Sequence, residues 1–264
     1  MITGGARRPG PAGGRAAGPS RTDGPRAKGG EAMRVAVPHR WPADRAEAEA
    51  IQDRLRPAVR VEPDDAPPPR PRLVAGLDVA YATDDDRLAA AVVVLDAVTL
   101  EVVESATAVG RAAFPYIPGL FAFRELPTLV TALERLTVAP DLLVCDGQGL
   151  AHPRRFGLAC HLGVITGLPS IGVAKQSLVG EHAEPAAPRG AWAPVRDAGE
   201  VVGRALRTRT GVRPVFVSVG HRISLAAATE LTLRLAPAYR LPETTRHADR
   251  LSRQALRAAL GAAG

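Results

Sequence analysis

Residues 72–109, RLVAGLDVAYATDDDRLAAAVVVLDAVTLEVVESATAV, decide the fold. Three apolar runs, RLVAGLDVAY, RLAAAVVVLD and LEVVESATAV, are separated by the turn-forming TDDD and AVT. Runs of this length predict consecutive antiparallel strands, because β-branched side chains suit a pleated, half-buried surface and short polar connections reverse the chain. Asp78 interrupts the first run. A buried carboxylate is costly without a partner, so Asp78 requires a cation or hydrogen-bond donors around it.

Downstream the pattern becomes α/β. Residues 119–124 lead into a helix in which Leu126, Leu129, Val130, Leu133 and Leu136 recur at helical spacing. Pro127 is tolerable there only in the first turn, which puts Glu125 at the helix N-terminus. DLLVCD (141–146) reads as a short buried strand, PRRFGLACHLGVITG (153–167) as a helix and PSIGVAK (169–175) as another strand. After Gly180, strands are expected at GAWAPV, EVVGRALR and RPVFVSV, then a helix capped by Ser224 and running to about Leu235, then a final helix over residues 245–260. Three meander strands followed by helix, strand, helix and strand is the element order of the ribonuclease H-like fold. The expected architecture is therefore α/β, a central mixed sheet with an antiparallel three-strand meander flanked by helices.

Upstream, residues 1–32 are rich in Gly, Pro, Ala and Arg and have no apolar periodicity, so a disordered tail is expected there, followed by a single domain over residues 33–264. Pro42 opens a helix through ADRAEAEAIQDRL that ends before Pro57, and residues 63–71 form a Pro-rich linker. The formal charge of +7 suits a polyanionic partner. Six basic against two acidic residues up to Glu31 leave the tail at +4, so the folded part carries only +3. Cys145 and Cys160 are the only cysteines and form no zinc-like pattern. There is no run of roughly 18 apolar residues and no signal-peptide core, so a cytoplasmic protein without a membrane partner is expected.

Four carboxylates stand in separate elements, Asp78, Glu125, Asp146 and Asp249. Phosphodiester hydrolysis by paired divalent ions needs such hard oxygen ligands drawn together by tertiary folding. Each aspartate alone also fits a turn or a helix cap. The surrounding words FPYIPGLFAFRE, DGQGLAHPRRFGLACH, IGVAK and RLPETTRHAD, in this order, resemble the signature blocks of the endonuclease V family, over approximately residues 72–253. The resemblance implies a nuclease acting at deoxyinosine in DNA, cleaving the second phosphodiester bond on its 3′ side to start repair of deaminated adenine. It implies Asp78, Glu125 and Asp146 as metal-binding and catalytic residues, with Asp249 at a fourth metal position that is Asp or His in the family. Mg²⁺ is the implied cofactor, with Mn²⁺ as an alternative. Lys175 matches a basic residue near the scissile phosphate, where an ammonium offsets developing negative charge, and His152 matches a residue beside the metal site.

The same resemblance gives Pro115, Tyr116, Ile117 and Pro118 the part of a strand-separating wedge, filling the space a base leaves on flipping. It puts a pocket for hypoxanthine near Gly147 and Gly149, whose backbone can approach a flat ligand closely, with Phe121, Leu158 and Leu178 as walls. Gln148 departs from the family's usual DGHG and cannot titrate near neutrality as His would. Arg154 and Arg155 fit phosphate contacts at a helix start or plain solvated surface, no role is read for His221, and Asp84, Asp85 and Asp86 are expected exposed in a hairpin turn. Two other functions fit the same words. One is a nuclease for inosine-containing RNA; the other is a non-catalytic nucleic-acid-binding module, against which retention of all four carboxylates and Lys175 argues. No obligate protein partner is expected.

Overall fold

The computed structural model describes residues 1, 2, 4, 5 and 33–262. The chain divides into two units, Met1–Gly30 and Glu31–Gly264. The tail expected over residues 1–32 lies, apart from those four residues, outside the described part. All the described helices and strands belong to the second unit.

The predicted meander is present as β1 (Leu73–Tyr81), β2 (Arg87–Asp96) and β3 (Val102–Arg111). Both pairings are antiparallel, with Asp78 opposite Ala91 and Ala91 opposite Thr107. Two further strands, β4 (Leu142–Cys145) and β5 (Ser170–Ala174), continue the sheet in parallel with β1, Leu77 lying opposite Cys145 and Cys145 opposite Gly172. Then β6 (Trp192–Asp197), β7 (Glu200–Leu206) and β8 (Val215–His221) add antiparallel strands beyond β5. The eight strands run in the order β3-β2-β1-β4-β5-β8-β7-β6, a mixed sheet of the ribonuclease H-like class.

Alternation along β1 sends Leu73, Ala75 and Leu77 to one face and Val74 to the other. On the first face α2 (Ala122–Leu133) and α3 (Leu158–Thr166) bury Leu126, Leu129, Leu133, Leu162 and Ile165. On the second, α4 (Leu225–Leu235) buries Ala228, Leu231 and Leu235, and α5 (Glu243–Gly261) buries Ala248. The first helix, α1 (Arg45–Leu55), packs Ala48, Ile51 and Leu55 against Phe114, Leu120, Phe123 and Phe156. Among the described residues no helix is long and apolar enough to cross a membrane.

Several element boundaries differ from expectation. Helix α1 starts at Arg45 with Asp44 accepting from the Glu47 amide as its cap, so Pro42 precedes it. In α2, Pro127 is the sixth helical residue and deprives the Phe123 carbonyl of its usual donor; the helix ends at Leu133, and Leu136 is buried beyond it. Helix α3 begins five residues later than expected, because Gly157 is extended and Arg155 is left-handed at φ 52°. Ser224 caps α4 as expected, accepting from the Ala227 amide.

Helix α5 packs closely on β1. Its buried residues Thr244, Ala248, Ser252 and Leu256 recur every four positions, and the first three are small. A Cβ on Gly76 would stand 2.1 Å from the Thr244 carbonyl oxygen, so only glycine lets β1 and the start of α5 meet. Gly76→Ala is therefore expected to destabilise the protein by on the order of 3 kcal/mol, the upper range for overpacking, read from denaturant unfolding. A loss below about 0.5 kcal/mol would show that α5 can lift without cost.

Candidate active site

The parallel register of β1 and β4 brings two carboxylates to the same end of the sheet. Leu77 faces Cys145, and the Asp146 amide donates to the Leu77 carbonyl at 3.2 Å, so Asp78 and Asp146 emerge side by side. Lys175 follows the last residue of β5, and its Nζ lies 2.5 Å from Asp146 Oδ2. From α5, the Ser252 hydroxyl lies 2.8 Å from Asp78 Oδ2 and 3.0 Å from the Asp249 carbonyl, tying the helix to the strand. Asp249, one turn earlier, accepts from Arg253 at 2.9 and 3.1 Å. Glu125, in the first turn of α2, accepts from the Tyr81 hydroxyl at 3.0 Å. All four carboxylates and Lys175 line one cleft of about 530 Å³, with Arg253 and Arg257 on its α5 side.

Electrostatics in the cleft favour a cation. Burial, then repulsion from Asp146 and Asp249, raise Asp78 to about 7 against the opposing Ser252 hydrogen bond. Glu125 is pushed up to about 8 by burial and by the charges of Asp78 and Asp146, although the Tyr81 hydrogen bond pulls the other way. Burial alone would lower Lys175, but its hydrogen bond and charge pairing with Asp146 outweigh that and hold it above the ordinary lysine value. Among the described residues no three of these acidic groups are drawn into a ready-made coordination group. Each is instead engaged by a protein donor, from Lys175, Ser252, Tyr81 or Arg253. The donor set still fits a hard divalent ion, since it offers only carboxylate oxygens and their repulsion is what a cation would relieve.

A second cavity, of about 700 Å³, adjoins the cleft and shares Tyr81, Glu125 and Asp146 with it. Phe121, Leu158, Leu178, Gly147, Gln148, Gln176 and Tyr116 contribute to its walls. A volume in the range of small-ligand pockets, mostly apolar with a few polar groups, suits a flat base.

The chain shares long blocks with known proteins. The sequence profile described as Endonuclease V matches residues 53–250. The chain belongs to the endonuclease V family. The Endonuclease V of Streptomyces coelicolor is 60% identical over 223 residues, covering 84% of this chain and 95% of that protein. The crystal structure of Endonuclease V from Streptomyces avermitilis superposes with a TM-score of 0.80 at 56% identity, covering 86% of this chain and 99% of that one. A Ciona intestinalis Endonuclease V, solved with a 24mer DNA containing an inosine followed by a ribo-adenosine, superposes at 0.69 with 26% identity, over 81% of this chain and 98% of that one. The family is one of nucleases, and the fold agrees with the ribonuclease H-like expectation.

The remaining endonuclease V candidates are distributed unevenly. Tyr116 is 70% exposed and packs edge-on against Phe121 at 4.5 Å, at the mouth of the cavity. Pro115, Ile117 and Pro118 frame that loop without lining the cavity, Ile117 packing towards α1. Two donors pin the loop's end: His152 Nε2 to the Gly119 carbonyl at 2.8 Å, and Gln52 Nε2 to the same oxygen at 3.0 Å. His152 Nδ1 accepts from the Arg154 amide, so the ring is neutral, and burial lowers its pKa to about 4 despite the Gly119 bond. His152 thus lines the larger cavity and not the carboxylate cleft.

The Gly149 amide donates to Ser218 Oγ, and a Cβ there would meet the Val219 carbonyl at 2.0 Å, so β8 by itself already requires glycine at this position. The Gln148 side-chain nitrogen donates to the Gln176 carbonyl. Arg154 and Arg155 do not stand at a helix start. Arg154 pairs with Asp53 of α1 and Arg155 with Asp197 and Glu200 of the β6–β7 turn. His221 accepts from the Arg60 amide, and residues 84–86 are exposed in the β1–β2 turn.

Sequence reading misses Tyr81, Ser252 and Arg253. Ser252 and Arg253 stand three and four residues after Asp249, the spacing of one helix face, which is the signal available for them.

A pH dependence follows. Asp78 and Glu125 bind protons more tightly folded than unfolded, so without divalent metal the stability they contribute is full at acid pH and is lost as pH rises through about 7 and about 8. Buried neutral His152 acts in the opposite sense, but only between about 4 and the ordinary histidine value of 6.5. Thermal unfolding in chelator is therefore expected to show a Tm that falls from about pH 6.5 to about pH 8, with added Mg²⁺ raising Tm more at the upper end. A metal-free Tm that is flat or rises across that window contradicts the electrostatic description.

Proposed function

We propose that this protein is a divalent-metal-dependent endonuclease that recognises deoxyinosine in DNA and hydrolyses the second phosphodiester bond on its 3′ side. The observation that carries the reading is the shared wall of Tyr81, Glu125 and Asp146 between the acidic cleft and the base-sized cavity, which joins a place for phosphate chemistry to a place for a flipped base. In this reading the domain acting is the whole of residues 33–264, and Asp78, Asp146, Glu125 and Asp249 hold Mg²⁺, with Mn²⁺ as an alternative. The ion, when bound, would polarise the phosphate and lower the pKa of an attacking water. Lys175, released from Asp146, offsets charge at the scissile phosphate. Phe121, Leu158 and Leu178 flank the base, and main-chain groups at Gly147 distinguish hypoxanthine, with its O6 acceptor and N1–H donor, from adenine. His152 acts by holding the Gly119 end of the wedge loop, and repair of deaminated adenine is the corresponding cellular task.

Cleavage of inosine-containing RNA is a second reading, favoured by one observation: the DNA bound by the Ciona intestinalis protein carries a ribonucleotide directly after the inosine. Matched inosine and adenine oligonucleotides, as DNA and as RNA and with or without Mg²⁺, separate the two. Inosine-specific, Mg²⁺-dependent cutting of DNA is expected; cutting of RNA alone would exchange the readings, and metal-independent cutting would remove both.

Asp78→Asn and Asp146→Asn preserve shape while removing the anion. Each should lower single-turnover cleavage by more than about a hundredfold, beyond the effect usual for outer-shell groups, while inosine binding in chelator persists. Near-normal turnover at moderate Mg²⁺ would remove these residues from the reaction.

Tyr116→Ala tests the wedge separately from the chemistry. Base–aromatic stacking is worth ~1–3 kcal/mol, so the variant should lose roughly tenfold or more in single-turnover rate on duplex DNA. On single-stranded DNA, where less stacking must be broken, the loss should be clearly smaller. Equal losses on the two substrates would make Tyr116 only a packing residue of its loop.

A further inference from the structure

Helix α5 carries a row of arginines of which only one, Arg253, is engaged by a carboxylate of the cleft. Arg246, Arg250, Arg253 and Arg257 follow one another at intervals of four, three and four residues. At ~3.6 residues per turn they fall within about 60° of the helix circumference, beside the face that presents Asp249. Arg253 and Arg257 line the acidic cleft, so the row begins inside it and runs along the helix. The far end of α5 approaches the start of β2, where Arg87 Nη1 reaches the Ala259 carbonyl at 3.4 Å. Arg246 is engaged by Glu243 and by the Tyr239 ring, and Arg253 by Asp249. Arg250 and Arg257 are exposed and make no hydrogen bond or ion pair among the described residues. Like charges three and four residues apart disfavour a helix, so an arginine row with so few internal anions is held against its own repulsion. A polyanion laid along the row would relieve that repulsion.

We infer that this arginine row is a track for the phosphate backbone of the substrate as it leaves the cleft. The inference rests on the nuclease reading above and specifies which surface holds the flanking nucleic acid. Arg250 and Arg257 are ~10 Å apart along the helix axis at ~1.5 Å per residue, about three steps of the ~3.4 Å axial repeat of phosphates on one duplex strand. Guanidinium groups suit this task because they pair with phosphate in two-point geometry and stay charged. The row touches backbone alone, so it contributes affinity and register without reading the base.

The test measures binding of the full chain, in chelator to prevent cleavage, to labelled duplexes that differ only in one inosine or adenine, across a range of salt. Each phosphate that is no longer neutralised should flatten the slope of log affinity against log salt by about 0.9. The Arg250→Ala/Arg257→Ala double variant should therefore flatten it by about 1.8 and weaken both duplexes by the same factor, leaving the inosine-to-adenine ratio unchanged. Arg250→Lys/Arg257→Lys, which keeps the charges, should keep most of the slope. An unchanged slope in the alanine variant overturns the track, as does a loss confined to the inosine duplex. Weakened binding of polyglutamate with no change on either duplex would overturn it in favour of an acidic protein partner. Failure of the underlying reading is distinguishable: there the unaltered protein binds both duplexes but, given Mg²⁺, cuts neither at inosine.

Discussion

Where Gly76 faces the carbonyl of Thr244 there is no room even for a methyl group, and α5 is set down on the sheet at that depth. The small residues Thr244, Ala248 and Ser252 keep the helix close over its following turns. That closeness lets the Ser252 hydroxyl reach the Asp78 carboxylate and puts Asp249 at the same cleft. A helix standing at the usual distance on larger side chains would leave Asp78 facing hydrocarbon, where its charge could not be kept. The acidic cleft is in this sense a product of packing: a small-residue seam brings Asp249 to Asp78 within β1 and Asp146 just beyond β4.

The cleft concentrates like charge, and the protein balances it with few groups. Lys175 meets Asp146, Arg253 meets Asp249, and neutral hydroxyls from Ser252 and Tyr81 serve Asp78 and Glu125. Asp78 and Glu125, given only neutral donors, have their pKa values pushed up to about 7 and about 8, burial being the largest cause for each. Around the larger cavity the balance is of another kind. The loop bearing Tyr116 is held by two neutral donors, from Gln52 and His152, on the single carbonyl of Gly119. An exposed aromatic side chain is thus carried on an anchored stem.

The meander is legible in the sequence because each strand is a long apolar run with unambiguous turns, and its two pairings need only neighbouring sequence. The parallel strands β4 and β5 are legible as equally clear apolar runs. The start of α3 is not: residues 153–157 have nothing that forbids a helix, and what excludes one is the left-handed Arg155 together with its bonds to Asp197 and Glu200, groups more than forty residues away. Pro127 sits in the second turn of its helix and not the first, since the deeper start at Ala122 is set by the packing of Phe123 and Leu126. In the site, the carboxylates are visible through the resemblance of their blocks, but their supporting donors are not. Ser252 and Asp78 are 174 residues apart, and only the seating of α5 makes them neighbours. Gly149 reads in the sequence as a glycine kept small for a ligand, and the backbone of β8 by itself already requires it.

Tyr81, Glu125 and Asp146 belong at once to the cavity and to the cleft, and they are rooted in β1, in α2 and at the end of β4. The partition between the two spaces is therefore built into the rigid frame, while Tyr116 and Leu178 ride on connecting segments. A loop can breathe or change length without altering how far one space lies from the other. The molecule carries its own ruler, graduated by strand spacing, and any spacing it imposes along a bound polymer would be as invariant as the sheet.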